Sequence, residues 1–435
     1  MTRTQRAISI LILWSLCAAS AVSIERFPPP EFETDYTIKT PTAPAPHFQW
    51  FETLDVFVLF AALAAMSWLV LKKRSRKGIF GLMLLCLLYF GFWRKGCICS
   101  IGAIGNIVLG IFNAEYAIPW FVVAFFFLPL VFTLFFGRIF CAGVCPLGAI
   151  QDAVLLKPVR VPHWLEATLR LLAWLYLSLA VLFAATASAF IICRYDPFIA
   201  FFRFDANPAM WVMSLSMLVI AVFVGRPYCR FLCPYGLILR QIGRVSRSRV
   251  TVTPDECIHC RLCEDSCPFG AIDKPTVQWP QKEYAKGKRR LLLLMACLPI
   301  FIAGGTLLGF KLHHRMALVH ADVNLVEFLR LDQAGVIDKN IQDASKAFYG
   351  SGQSLEQLNQ RASAKQKQFA VGSSILGGWM GLVAGMSLIH YSIFWKRDEY
   401  EAQRTGCVAC GRCYNACPRH RVWLENKKAV KRKES

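Results

Sequence analysis

The chain has 435 residues, a hydrophobic fraction of 55% and a formal net charge of +21, with a mean hydropathy of +0.42. That apolar content exceeds what a water-soluble chain of this length needs, and membrane residence is the first expectation. The positive charge does not indicate nucleic acid, since no stretch reads as a groove-reading helix or a base-stacking aromatic platform; membrane topology and attraction to anionic lipid account for it.

In chain order, apolar runs near 8–24, 54–71, 78–93, 119–136, 164–192, 209–225, 290–310 and 371–395 approach the roughly 20 residues of a membrane-spanning helix. The first follows "MTRTQR" and ends in "AASAVS", so residues 1–24 read as a signal peptide or a first anchor. The Pro-rich stretch 25–53 then reads as an extracytoplasmic tether. "LKKRSRK" at 71–77 carries five positive charges and no acidic one, which places it in the cytoplasm. Counting spans onward puts "LKPVRVPH" at 156–163, the basic segment 226–290 and the tail "KKAVKRK" on the same side. The expected fold is mainly α: a polytopic transmembrane helical protein with a split cytoplasmic ferredoxin-like two-cluster module. Its divisions are a transmembrane core at 54–245, a first ferredoxin half at 246–289, a helix at 290–310, an extracytoplasmic segment at 311–370 with helices near 322–333 and 353–368, a helix at 371–395, and a second half with a basic tail at 396–435.

Eighteen cysteines are present, most of the patterned ones on the side where disulfides are rare, so metal is the better account. "CIHCRLCEDSCPFG" from Cys257 and "CVACGRCYNACPRH" from Cys407 each carry the spacing of half a two-cluster ferredoxin. In that arrangement three close thiolates hold one cluster and the fourth, before proline, reaches the other. Cys257, Cys260, Cys263 and Cys417 would hold one [4Fe–4S] cluster, and Cys407, Cys410, Cys413 and Cys267 a second. Two spans with an outer excursion separate the halves, so both return to one face and can close into a unit that needs its last 30 residues.

"CAGVCPLGAIQD" from Cys141 and "CRFLCPYGLILR" from Cys229 form a second pattern: cysteines at i and i+4 sharing a helical face, with proline and glycine bending the chain after them. Cys141, Cys145, Cys229 and Cys233 are candidates for a third iron–sulfur cluster; a thiol relay or purely structural thiols are the alternatives. Cys97 and Cys99 in "GCICSIGAIGN", with Cys193 in "ICRYDPF", fall on the outer side as candidate redox thiols or a disulfide. Cys17, Cys86 and Cys297 sit in apolar runs as small hydrophobes. There is no nucleotide fingerprint and no catalytic triad, so no catalytic residue is expected.

The paired "CAGVCPLGA" and "CRFLCPYG" elements among spans, followed by ferredoxin cysteine runs, resemble the NosR/NapH-like membrane polyferredoxin family. The resemblance covers about 54–290 and the last 30 residues, and the leader-to-span distance is too short for the outer FMN-binding domain of NosR. It implies electron transfer across a bacterial inner membrane. One partner is a quinone or a redox protein on the cytoplasmic side, the other an extracytoplasmic redox protein; the lipid bilayer is the third, and nucleic acid is none. A maturation or redox-sensing factor for a periplasmic metalloenzyme is the alternative function.

Overall fold

A computed structural model of the chain describes residues 49–434 apart from 97–98, 115, 205, 249, 254–256, 277–280, 337 and 394–396. The leader at 1–24, nearly all of the tether, Cys17 and Cys97 lie outside the described residues. Helix α1 (Gln49–Ser67) runs on through a π-helical turn at Trp68–Lys73, and α2 (Arg76–Cys86) does the same at Leu87–Trp93. Arg74, left-handed at φ 51°, reverses the chain between them, and Ser75 caps α2 by accepting from the Gly78 amide. The short α3 (Ala103–Phe112) leads to α4 (Trp120–Phe136), where the Thr133 hydroxyl donates to the Pro129 carbonyl. α5 (Pro146–Ala153), α6 (His163–Ala185), α7 (Pro208–Phe223), α8 (Pro227–Phe231) and α9 (Pro234–Gly243) complete the first bundle.

After α10 (Leu262–Asp265) and β1 (Ile272–Asp273), the 37-residue α11 (Gln281–Ala317) leaves that bundle. α12 (Ala321–Gln333) and α13 (Lys339–Gly350) turn at the far end, and α14 (Leu355–Ser392) returns for 38 residues. β2 (Glu401–Ala402), α15 (Arg412–Ala416) and α16 (Pro418–Glu434) close the chain. Among the described residues, five helices are long and apolar enough to cross a membrane: Trp50–Lys73, Arg76–Trp93, Trp164–Ala185, Lys286–Ala317 and Leu355–His390. The runs expected at 119–136 and 209–225 form apolar helices of 17 and 16 residues, at the short end of the length of a membrane span. The break expected at 370 is absent, because α14 carries the polar 355–370 stretch and the apolar run as one continuous helix.

The long hairpin answers why an apolar excursion can separate two halves of one module. Gly305 and Gly309 on α11 face Gly377, Gly381 and Ser373 on α14 so closely that a Cβ added at Gly305, Gly309, Gly377 or Gly381 would lie 2.0–2.2 Å from a backbone oxygen of the other helix. Such small-residue spacing lets helix backbones meet in lipid, where no hydrophobic drive between them exists. The near ends are thereby held together: β1 pairs antiparallel with β2, Ile272 opposite Ala402 and Asp273 opposite Glu401. The Thr276 amide also donates to the Arg397 carbonyl at 2.9 Å, and Arg397 pairs with Asp273 at 2.7 Å. Gly377→Leu should therefore cost about 1–3 kcal/mol or more through overpacking and deprotect the amides of 271–273 and 401–403. Gly304→Leu, where a Cβ meets nothing within 4 Å, should do neither. Thermal unfolding in detergent and hydrogen exchange check both; equal behaviour of the two variants would contradict the hairpin's role.

A single buried cluster joins the membrane bundle to the cysteine-rich segments, from Leu63 and Met66 through Phe140 and Tyr235 to Phe269, Tyr400 and Tyr414. Tyr235, 1% exposed, reaches the Phe126 carbonyl at 2.7 Å. The module is thus set into the end of the bundle rather than tethered to it.

Candidate functional site

The cysteine motifs set the local backbone before any metal is considered. In both ferredoxin runs the residue before the second cysteine and the residue after it are left-handed: His259 and Arg261 in one, Ala409 and Gly411 in the other. Left-handed non-glycine residues are uncommon, and alternating hands turn successive N–H groups toward one point as an anion-binding nest. The Ala409 amide donates to Cys407 Sγ and the Ala271 amide to Cys267 Sγ, each at 3.4 Å. Cys267, Cys407, Cys410 and Cys413 line one small cavity of about 20 Å³ with Val250, Phe269 and Ile272. Burial pushes the Cys407 thiol up to about 12, and a bound metal takes its ligands as thiolates.

The other four are unevenly enclosed, with Cys263 and Cys417 buried and Cys257 half-buried. Burial, with Cys257 and Cys260 close by, pushes Cys263 up to about 11. Cys260 is exposed. Cys417 ends α15, the helix that packs on α10, which carries Cys263.

At the rim of the bundle the cysteine pairs do not simply share a helical face. Cys141 lies in a π-helical turn (Phe140–Val144), and Cys145 is the N-cap of α5 with Pro146 at its first position. In the second copy Cys229 lies in α8 and Cys233 caps α9, again with proline first. Each proline starts a helix, where its missing N–H is no loss, instead of bending one. Cys233 Sγ accepts from the Gly236 amide at 3.2 Å, and Gln151 Nε2 donates to Cys229 Sγ at 3.3 Å. Burial raises Cys229 to about 12 against the opposing charge of Arg226, with Cys141 adding to the rise, and raises Cys233 well above its usual value with Cys229, Cys145 and Cys141 as its neighbours, so the four thiols lie close together. These amide-fed, enclosed thiols suit an iron–sulfur cluster at the rim as well as in the module. Among the described residues no group of three His, Cys, Asp or Glu side chains is arranged around a single metal ion.

Deeper in the bundle, close enough to Cys145 for Cys99 to act on it electrostatically, Cys99 and Cys193 meet over Gly102. The Gly102 amide donates to Cys99 Sγ at 3.4 Å, and Cys193 Sγ lies 3.3 Å from where a Gly102 Cβ would stand. They line a pocket with Asn106, Asp196 and Arg203.

Salt bridges fix the module to one face. Asp152, fully buried, takes Arg226 from the bundle, Arg412 from the second ferredoxin half and Arg76 from the 71–77 loop at 3.2–3.5 Å. Burial acts to raise its carboxyl, but Arg226, Arg412 and Arg76 outweigh this and hold it below the usual carboxylate value. Arg74 donates to His420 Nε2 at 3.0 Å and to the Thr251 carbonyl at 2.6 Å, and Arg76 to the Cys410 carbonyl at 2.8 Å. Burial and Arg74 push His420 down to about 4, keeping it the neutral acceptor this contact needs. Arg160 pairs with Glu264 at 3.3 Å and with Asp265. The basic loops at 71–77 and 156–163 thus share one end of the bundle with every ferredoxin cysteine. Sequence reasoning missed Asp152 and its arginines. Its signal was the polar Gln151–Asp152 pair closing an otherwise apolar motif, since ionisable groups beside a membrane are kept for a reason.

A family model described as "4Fe-4S binding domain" matches residues 118–162 and 206–253, the two rim motifs with their helices, and a second of the same description matches 250–273. The chain is 28% identical over 212 residues to an uncharacterised protein of Methanocaldococcus jannaschii, covering 46% of this chain and 84% of that one. It is 26% identical over 157 residues to YccM of Escherichia coli, named for electron transport, covering 32% of this chain and 43% of YccM. Against the regulatory protein NosR of Stutzerimonas stutzeri it is 28% identical over 163 residues, 34% of this chain and 22% of NosR. The match therefore spans under half the length of YccM and of NosR. No solved structure matches.

Proposed function

We propose that the chain, which resembles the NosR/NapH-like membrane 4Fe–4S proteins in its matched segments, carries electrons from a donor at the module face, through the bundle, to a redox partner on the far side. An iron–sulfur electron-transfer role in a membrane is common ground with its relatives; the ligands, the direction and the partners are our reading. A [4Fe–4S] cluster supplies reversible one-electron chemistry at a potential set by its surroundings. Cys257, Cys260, Cys263 and Cys417 would hold one cluster, Cys267, Cys407, Cys410 and Cys413 another, and Cys141, Cys145, Cys229 and Cys233 a third.

The observation that supports this best is that successive cysteine groups share their lining residues. The group with the exposed Cys260 meets solvent, and the more enclosed group of Cys267, Cys407, Cys410 and Cys413 follows it. Phe269 and Val408 line both that buried pocket and the cavity that reaches Cys229. Beyond the rim group, Tyr228 packs on Phe198 at 5.5 Å, next to the Asp196 side of the Cys99–Cys193 pocket. Exposed Cys260 suits the entry for a soluble donor or a quinone-linked protein. The Cys99–Cys193 pocket suits the exit. By the excess of positive charge at 71–77 and 156–163, the module face is the cytoplasmic one of a bacterial inner membrane.

Proteoliposomes holding ferricyanide inside and receiving dithionite outside test the reading. The protein should bleach ferricyanide well above the rate of empty vesicles. A rate equal to that of empty vesicles, with iron present, would contradict transmembrane transfer.

A further inference from the structure

Between the buried ferredoxin pocket and the rim cysteines, five arginines, Arg138, Arg170, Arg226, Arg230 and Arg240, line one cavity together with Cys229. Arg226, Arg138 and Arg240 are 1%, 3% and 8% exposed. Two carboxylates serve this set: Glu166, shared by Arg170 and Arg230, and Asp152, already shared by Arg226, Arg76 and Arg412. Arg138 and Arg240 have no carboxylate partner among the described residues. Arg138 donates to the Thr405 carbonyl at 2.9 Å and points a second nitrogen at Cys141 Sγ at 3.8 Å, while Arg240 reaches only the Arg230 carbonyl at 3.0 Å. The Nε atoms of Arg138, Arg170, Arg226 and Arg240 are buried without a hydrogen bond. Burial and the like charges of Arg138, Arg170 and Arg230 push Arg240 down to about 9.

Uncompensated buried charge costs several kcal/mol per ion, so a fold retains it only against a countercharge. An iron–sulfur group bound by four thiolates is a net anion, and it becomes more negative on reduction. The exposed cysteine group has a different setting. Its neighbours Glu264 and Asp265 are already paired with Arg160 and Lys274, and solvent screens those pairs.

We propose that this arginine junction favours the reduced state of the buried and rim cysteine groups over that of the exposed group, and so directs electrons from the module into the membrane. The proposal rests on the reading of these groups as iron–sulfur sites and adds the direction, which ligand spacing does not encode. Positive charge held beside a cluster raises its potential, because net charge is one of the terms that set it. Arg240 is a positioning residue here: it touches no cluster-binding sulfur and acts through the field, whereas Arg138 also reaches Cys141 Sγ.

Redox titration followed by EPR on the intact, detergent-solubilised protein tests this. In the wild-type chain the exposed group should have the lowest midpoint. Arg240→Gln should lower the midpoints of the buried and rim groups and leave the exposed one in place, while Arg240→Lys, which keeps the charge, should stay near wild type. Loss of iron from those two groups in Arg240→Gln but not in Arg240→Lys would also support the clamp. Arg170→Gln, at a side chain that is 27% exposed, provides a milder variant with the same expected direction. Full iron with unmoved midpoints in both glutamine variants, or an exposed group with the highest midpoint, would overturn the inference alone. Wild-type protein without iron at these cysteines would overturn the reading beneath it.

Discussion

Replacing Cys267 and Cys407 together by alanine is expected to cost the protein the same iron as replacing Cys407 alone, about four ions per chain. Replacing Cys257 and Cys407 together should cost about eight. The contrast follows from the crossed ligand set, in which the fourth cysteine of each run serves the other run's cluster. The structure places Cys267 in the same cavity as Cys407, Cys410 and Cys413, and the β1–β2 pair and the α10–α15 contact are what bring it there. If each run instead held its own cluster, the first pair of substitutions would already remove about eight irons. Iron and acid-labile sulfide assays on anaerobically prepared variants decide between the two.

The second large effect concerns the rim. Cys233→Ala should remove about four irons, leave the ferredoxin signals intact, and bring ferricyanide bleaching in proteoliposomes to the level of empty vesicles. Cys233 is placed to matter because it caps α9, where the Gly236 amide donates to its sulfur, beside Cys229, Cys145 and Cys141. Cys86, buried in α2 and outside the four cysteine motifs, is the control: Cys86→Ala should change neither iron nor transfer. A Cys233→Ala protein that still transfers electrons at the wild-type rate would show that the rim thiols are structural.

Much of this arrangement was readable in the residues, and the limits have physical reasons. Cysteine spacing before proline is a short-range pattern, so the two ferredoxin runs and the two rim motifs were visible at once. The return of both halves to one face followed from apolar run lengths and basic loops. The Gly305, Gly309, Gly377 and Gly381 contact was not seen, because small-residue spacing acquires meaning only when the partner helix is known. A two-residue strand pair has no periodicity to detect. The helix through 370 was divided because polarity changes there, yet helix propensity does not. Arg240 fell within the basic segment 226–290 and Arg138 carried no expectation, and only their burial beside Cys229 separates them from charges that favour topology. The left-handed positions were hidden too, since His259, Arg261 and Ala409 are not residue types that announce such a backbone.

The most direct test of the account is the iron and acid-labile sulfide content of the anaerobically purified full chain, with EPR of the dithionite-reduced state. Three cysteine groups working as one line predict about twelve irons per chain and a spectrum broadened by interaction between neighbouring centres. About eight irons would confine the chemistry to the module and leave the rim cysteines as thiols, and little iron after careful anaerobic handling would contradict electron transfer by this chain altogether.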